Sequence, residues 1–233
     1  MPLMKSRGNM YDWVTHMHTH LMGECPNKCV YCYVGKGPSG RPHRYIGPPR
    51  FSFEEFKIDY GNYRTIFIEH MNDMFAEGIN PNWIMRILRH CHEYPTNTYV
   101  IQTKNPMRAL LFADAFPPNR IVGTTIESDF DFRISQAPLP RFRLIGIKEF
   151  ALRGFRTFIT IEPVMEFSRD FADMIIDARP GFVNIGADSK GCGLREPDEE
   201  ALKNLIERLN KANVIIKKKT NLARLLPSRQ TPE

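Results

Sequence analysis

The sequence predicts a parallel α/β fold of about six strand–helix units. Two observations carry that expectation. Short β-rich runs alternate with stretches of helical apolar spacing from Thr65 to the end of the chain. Nearly every such run then ends in polar residues, and the carboxyl tips of parallel strands are where such sheets hold ligands. The bulk composition permits it: 233 residues, 42% hydrophobic and 25% charged, suffice for a sizeable core without the signature of disorder.

Trp13 to Leu21 opens the pattern with period 2. Val14, Met17, Thr19 and Leu21 intersperse with His16, His18 and His20, which places three histidines on one face of a strand. They read either as metal ligands or an anion site, or as satisfied imidazoles of a polar interior or sheet face. Alternate strand residues lie ~6.6–7 Å apart, an awkward spacing for one small ion.

That strand runs into Glu24-Cys25-Pro26-Asn27-Lys28-Cys29-Val30-Tyr31-Cys32-Tyr33. Three of the five cysteines fall here within eight residues, at C-x3-C-x2-C spacing. Pro26 and Asn27 favour a turn, which lets the thiols face inward together. Three soft ligands on a wrapped loop suit an iron–sulfur cluster or zinc. A closed zinc site would need a fourth ligand, with His20 or Cys192 as candidates, and no second C-x2-C pair is present. Gly35 to Pro49 reads as a loop, with four glycines and four prolines among Lys36, Arg41, His43, Arg44 and Arg50. With Tyr33 and Tyr45 it interleaves aromatic rings and positive charge, a composition suited to nucleotides.

Further units follow in order. Thr65–Glu69 is a strand ending at His70-Met71-Asn72-Asp73, and Pro81–Tyr94 is a helix with Asn80 as N-cap. Thr98–Thr103 is a strand ending at Lys104-Asn105, followed by a helix from Met107 to Phe116 that Pro117-Pro118 breaks. Arg120–Ile126 ends at Glu127-Ser128, and Arg141–Arg153 is a helix closed by Gly154. Phe155–Ile161 ends at Glu162-Pro163, with a helix from Ser168 to Ala178. Phe182–Gly186 ends at Asp188-Ser189 and the glycine loop around Cys192. A helix over Pro197–Lys211 and a short strand over Val214–Ile216 complete the series. Cys91 falls on an apolar helix face and reads as core. The division expected is one domain over 1–233, with an N-terminal tail over 1–12, a long basic loop region over 35–62 and a basic C-terminal tail over 220–233.

The formal net charge of +6 permits an anionic partner such as nucleic acid. No apolar run approaches ~20 residues and no secretory leader is visible, so a cytoplasmic setting is expected. Five cysteines, three of them clustered, do not read as a disulfide framework.

The cysteine spacing with an aromatic before the third thiol, Cys25-x-x-x-Cys29-x-Tyr31-Cys32, following a first strand, resembles the radical S-adenosylmethionine (SAM) superfamily from about Trp13 onward. The set Asn72-Asp73, Thr103-Lys104-Asn105-Pro106, Gly123 to Ser128 and Ile161-Glu162-Pro163 resembles the small phage- and prokaryote-associated radical SAM proteins of uncharacterised function, themselves similar to spore photoproduct lyase. The resemblance implies a partial TIM barrel that holds a [4Fe–4S] cluster and SAM. An external electron donor of the flavodoxin or ferredoxin type would reduce the cluster, and cleavage of SAM would give a 5′-deoxyadenosyl radical that takes hydrogen from a substrate. Carried over, Cys25, Cys29 and Cys32 are the cluster ligands. Tyr31 lies against the adenine, Asn72 and Asp73 stand where the family has a glycine-glycine-glutamate signature for the methionine amine, and Lys104 pairs with the SAM carboxylate. Glu127 and Ser128 serve the ribose hydroxyls, and Glu162 faces substrate or adenine. The lyase relays its radical through a cysteine on the second strand, where this chain has Glu69-His70-Met71. Cys192 is the remaining candidate hydrogen donor. The rival expectation from another class is a non-catalytic nucleic-acid-binding protein with a structural zinc or iron–sulfur site.

Overall fold

The computed structural model describes residues 3–7, 10–35, 40 and 42–226. Lys36, Pro38, Arg41 and Arg229 of the two basic segments lie outside the described residues. One eight-stranded sheet organises the rest, in the order β1-β2-β5-β6-β7-β8-β9-β10. Its strands are β1 (Met4–Lys5), β2 (His16–His18), β5 (Thr65–Ile68), β6 (Thr98–Gln102), β7 (Arg120–Thr125), β8 (Arg156–Ile161), β9 (Phe182–Ile185) and β10 (Ile216–Lys218). All neighbours pair in parallel except β1, which runs antiparallel to β2. The sheet does not close: β1 and β10 are its two edges. A separate hairpin pairs β3 (Leu21–Met22) with β4 (Arg50–Phe51).

Helices α1 (Pro81–His92), α2 (Pro106–Ala109), α3 (Pro140–Leu152), α4 (Phe171–Asp177) and α5 (Glu199–Lys211) supply the crossovers. The Asn80 side chain accepts from the Asn82 amide at 2.9 Å, with Pro81 at the first helical position, as the sequence signals. α2 is shorter than expected, because its last turns tighten into a 3₁₀ segment over Leu110–Ala115. α4 starts at Phe171 rather than Ser168. The Ser168 hydroxyl is held by Asp129 at 2.5 Å and caps only the Asp170 amide, so it opens a turn before the helix.

Alternation divides the sheet into two faces. The register row Met17, Phe67, Val100, Ile121 belongs to one apolar cluster on the inner face. The adjacent row His18, Ile68, Ile101, Val122 faces the helices. Phe158 fills the inner face beside β7 and stacks on Phe182 at 5.3 Å. Its ring lies where a side chain on Gly123 would be: a Cβ there would come within 2.2 Å of it.

The segments around the strand–helix units carry structure of their own. In the described part of the N-terminal stretch, β1 extends the sheet, and Tyr11 is buried on its inner face, stacked on Trp13 at 5.2 Å. The described part of the 35–62 region also holds regular structure. It contains β4 and 3₁₀ turns at His43–Tyr45 and Phe53–Lys57, fixed where Arg44 pairs with Glu55 at 2.6 Å and Tyr45 is buried. The described part of the C-terminal tail packs as a 3₁₀ helix over Thr220–Leu225, with Leu222 in the main core. Among the described residues no helix is long and apolar enough to cross a membrane.

Candidate functional site

The parallel strands deliver their polar tips to one end of the sheet, and the cysteine loop lies across them. Two backbone bonds turn the loop, from Lys28 N to Cys25 O at 3.2 Å and from Cys32 N to Cys29 O at 3.0 Å. Lys28 takes a positive φ of 44° at the turn between them. All three cysteines are partly exposed and free. Burial pushes the Cys25 thiol up to about 12, helped by the negative charge of Asp73 and by Cys29 and Cys32. Burial raises Cys29 as well. Cys25 and Cys29 thus resist ionising without a cation beside them. Among the described residues no three His, Cys, Asp or Glu side chains converge as ligands of one metal ion.

The tip of β5 is the principal support of the loop. Asp73 Oδ2 accepts from the buried Asn27 side chain at 2.8 Å and from the Lys104 amide at 2.8 Å. Its Oδ1 accepts from Thr103 Oγ1 at 2.7 Å and from the Phe75 amide at 3.0 Å. The Asn72 side chain donates to Gly23 O at 3.3 Å. Glu69 accepts from the His20 and Leu21 amides at 2.8 and 3.2 Å, and the Tyr33 hydroxyl donates to His70 O.

The tip of β7 holds the other side. The Tyr31 hydroxyl donates to Glu127 Oε1, and Arg143 of α3 donates to Oε2 at 2.8 Å. Lys104 Nζ is 3.7 Å from Oε1 and 5.3 Å from the centre of the Tyr31 ring. Burial pushes the Glu127 carboxyl up, but Arg143, Lys104 and the Tyr31 hydroxyl overcome it and leave the group below its ordinary value. Backbone bonds from Val30 N to Ile134 O and from Gln136 N to Asn27 O, at 2.9 and 2.7 Å, fasten the loop to the segment after β7. Ser128 Oγ donates to Glu166 O at 2.5 Å and lines a cleft with Glu127, Phe130, Arg133 and Arg143.

Glu162, at the tip of β8, accepts from Lys219 at 2.7 Å and from Asn221 at 3.1 Å. Gly186 leaves room for it, since a Cβ there would approach the Glu162 carboxyl carbon to 2.8 Å and make the side chain shift. Lys219 also lies 4.9 Å over the Tyr11 ring. Below this layer the Tyr11 hydroxyl bonds Gln102 at 2.7 Å and Thr160 at 2.6 Å. Cys192 sits farther along the tips, after β9, with its amide on Asp188 Oδ2 at 2.5 Å.

Cys25, Cys29, Cys32, Tyr31, Asn72, Asp73, Lys104, Glu127, Ser128 and Glu162 therefore all lie at the carboxyl end of the sheet, and the bonds above join most of them into one network. The histidines do not join them. His18 and His20 are buried on the helix-facing side, with ring centres 4.6 Å apart. His20 Nδ1 bonds Glu69 at 2.6 Å and its Nε2 bonds the Tyr60 hydroxyl at 2.9 Å, so it is committed away from the thiols. Burial lowers both imidazoles to about 3 and raises Glu69 to about 7. Arg143 escaped the sequence reading. Its signal was an arginine in register with Ile147 and Phe150 on the buried stripe of a helix.

The fold is shared with solved radical SAM enzymes. A spore photoproduct lyase cysteine-to-serine mutant aligns with a TM-score of 0.62 at 10% identity, over 94% of this chain and 76% of that one. The same lyase with AdoMet and dinucleoside spore photoproduct bound aligns at 0.56 and 10% identity, over 88% of this chain. SuiB from Streptococcus suis bound to S-adenosylmethionine aligns at 0.59 and 12% identity, over 93% of this chain. The chain spans 63% of that liganded lyase and 53% of SuiB. No curated protein matches the sequence. The family described as protein of unknown function (DUF5131) matches residues 52–216, and the chain belongs to that family.

Proposed function

We propose that the protein is a radical SAM enzyme whose [4Fe–4S] cluster is held by Cys25, Cys29 and Cys32. The observation that carries this reading is the cysteine loop lying across the strand tips of a sheet with the fold of radical SAM enzymes. The donor set fits: three soft thiols stand within eight residues of one loop, free of disulfides, and the two whose burial raises them, Cys25 and Cys29, favour a positive centre. A cluster spreads its cysteines over separate irons, so it does not need them to converge on one ion. When bound, the cluster and SAM would supply the radical chemistry, and the protein's share is to bind, orient and exclude water.

Among this chain's residues, Lys104 stands where its ammonium can meet a carboxylate, beside the Tyr31 ring that would flank an adenine. Ser128 lines a narrow cleft at the tip of β7, within reach of a ligand hydroxyl. Substrate would enter over the exposed side of the loop, where Lys28, Val30, Tyr33, Ile46, Arg50 and Arg133 are exposed. That mixture of cations and apolar surface favours a nucleic-acid or nucleotide substrate.

Anaerobic reconstitution with iron and sulfide tests the cofactor reading. The expected result is a brown protein with about four irons per chain, lost in Cys29→Ala; zinc uptake with no cluster refutes it. Fluorescence anisotropy with single-stranded and duplex oligonucleotides tests the substrate class. Salt-sensitive binding is expected, and no binding at low salt removes nucleic acid from the reading.

A further inference from the structure

We infer that three buried carboxylates, Glu69, Asp73 and Glu127, are positioning residues that preset the cysteine loop before any cofactor arrives. The inference rests on the cluster reading above and departs from the resemblance, which places Asp73 against SAM and Glu127 against its ribose.

Each carboxylate meets a different part of the loop. Glu69 takes the His20 and Leu21 amides at 2.8 and 3.2 Å, where the chain enters. Asp73 takes Asn27 at 2.8 Å, in the first turn between Cys25 and Cys29. Glu127 takes the Tyr31 hydroxyl, in the second turn between Cys29 and Cys32. All three are buried, and so is Asn27.

The acceptor capacity of Asp73 is spent. A carboxylate offers about four lone-pair directions, and Asp73 has protein donors in four: Asn27, the Lys104 amide, Thr103 and the Phe75 amide, at 2.7–3.0 Å. A ligand amine would have to displace one of them. Glu127 is similarly engaged by Tyr31, Arg143 and Lys104. Glu69 adds a backbone argument. It holds φ at 60°, left-handed backbone that is strained for a residue other than glycine. That conformation brings its carboxylate to bonds with both the entering backbone and His20 Nδ1.

The loop is thus slung between β5 and β7 across the tip of β6. Thr103 and the Lys104 amide complete the Asp73 site, while Lys104 Nζ reaches Glu127. Two side chains of the loop itself, Asn27 and Tyr31, carry the connection, and neither is a cluster ligand. They hold the thiols' backbone as outer-shell partners hold metal ligands, where removal costs ~10–100-fold in metal retention.

The test compares anaerobically reconstituted wild-type protein with Asn27→Ala, Tyr31→Phe and Asp73→Asn. Iron and sulfide content, loss of the brown absorbance to a chelator, the EPR spectrum of the reduced cluster and SAM affinity are measured on each, with the thermal midpoint of the apoprotein. Asn27→Ala and Tyr31→Phe are expected to lose the cluster to chelator ~10–100-fold faster, with a shifted EPR spectrum and little change in the apoprotein midpoint. Tyr31→Phe removes one oxygen and leaves the ring, so it decides the matter if Asn27→Ala fails to fold. Wild-type retention and spectrum in Tyr31→Phe overturn the inference. So does an Asp73→Asn protein that loads its cluster fully but binds SAM more weakly. Failure of wild-type protein to take up a cluster defeats the cofactor reading instead.

Discussion

Replacing Arg143 by methionine removes a buried cation and leaves its partner behind. The guanidinium donates to Pro138 O at 2.6 Å, Thr125 O at 3.0 Å and Glu127 Oε2 at 2.8 Å. The side chains of Arg143 and Glu127 are 4% and 3% exposed, so solvent screens the pair little. Breaking a buried pair from one side costs ~3–5 kcal/mol, most of it the uncompensated charge. For a chain of this size each kcal/mol moves the thermal midpoint by ~2–4 °C, so Arg143→Met should lower it by roughly 6–20 °C. Lys104 Nζ, 3.7 Å from the other carboxylate oxygen, offsets part of the loss and favours the lower half of that range. The same change made in a Glu127→Gln background strands no charge and should cost less by ~1–3 kcal/mol. Urea denaturation of the four proteins, followed by circular dichroism, closes the cycle. Equal costs in both backgrounds, or a cost under ~1 kcal/mol in the first, would refute the claim that Glu127 is held ionised by Arg143.

Other outcomes follow from the packing and the buried titratable groups. Phe158→Ala opens the inner face where four rings meet and should cost ~3–5 kcal/mol by denaturant titration; a loss under ~1 kcal/mol would mean the inner face is loosely filled. Burial holds His18 and His20 near 3, below their ordinary 6.5, so their contribution is complete above pH 6.5 and is lost as pH falls toward 3. Glu69, raised to about 7, acts in the opposite sense: its contribution is full below pH 4.5 and fades as pH rises through 7. Stability should therefore fall most steeply below pH 4.5, and His18→Leu should flatten that limb by ~1.4 kcal/mol per pH unit; an unchanged limb sinks this assignment. Gly123→Ala should destabilise by ~1–3 kcal/mol through overlap with the Phe158 ring, while Gly123→Ala combined with Phe158→Leu should recover part of the loss by the same denaturant titration.

Much of this architecture was legible because it depends on local composition. Thr65–Ile68 and Arg120–Thr125 are short β-rich runs flanked by polar tips, and such runs have few uses other than a covered parallel strand. The cysteine loop was legible because its chemistry is concentrated in eight consecutive residues. What could not be read depends on contacts between distant segments. Tyr11 is one of the few aromatic rings near the N-terminus, and only the open sheet gives it Gln102 and Thr160 as partners. Alternation put His16 and His18 on one face, but no rule of period 2 says which face meets α1. The tip residues were found as a set, yet their mutual bonds were not. Asp73 and Glu127 looked like free ligands for a cofactor because Asn27, Tyr31 and Arg143 reach them across 46, 96 and 16 positions.

The most direct test is cleavage of SAM by the reconstituted protein. Anaerobic protein carrying iron and sulfide is mixed with dithionite and SAM, and 5′-deoxyadenosine and methionine are quantified over time. The radical SAM reading predicts steady release of 5′-deoxyadenosine that disappears in Cys29→Ala. A protein that loads its cluster, binds SAM and releases none under reduction, or one that takes up only zinc, would contradict it.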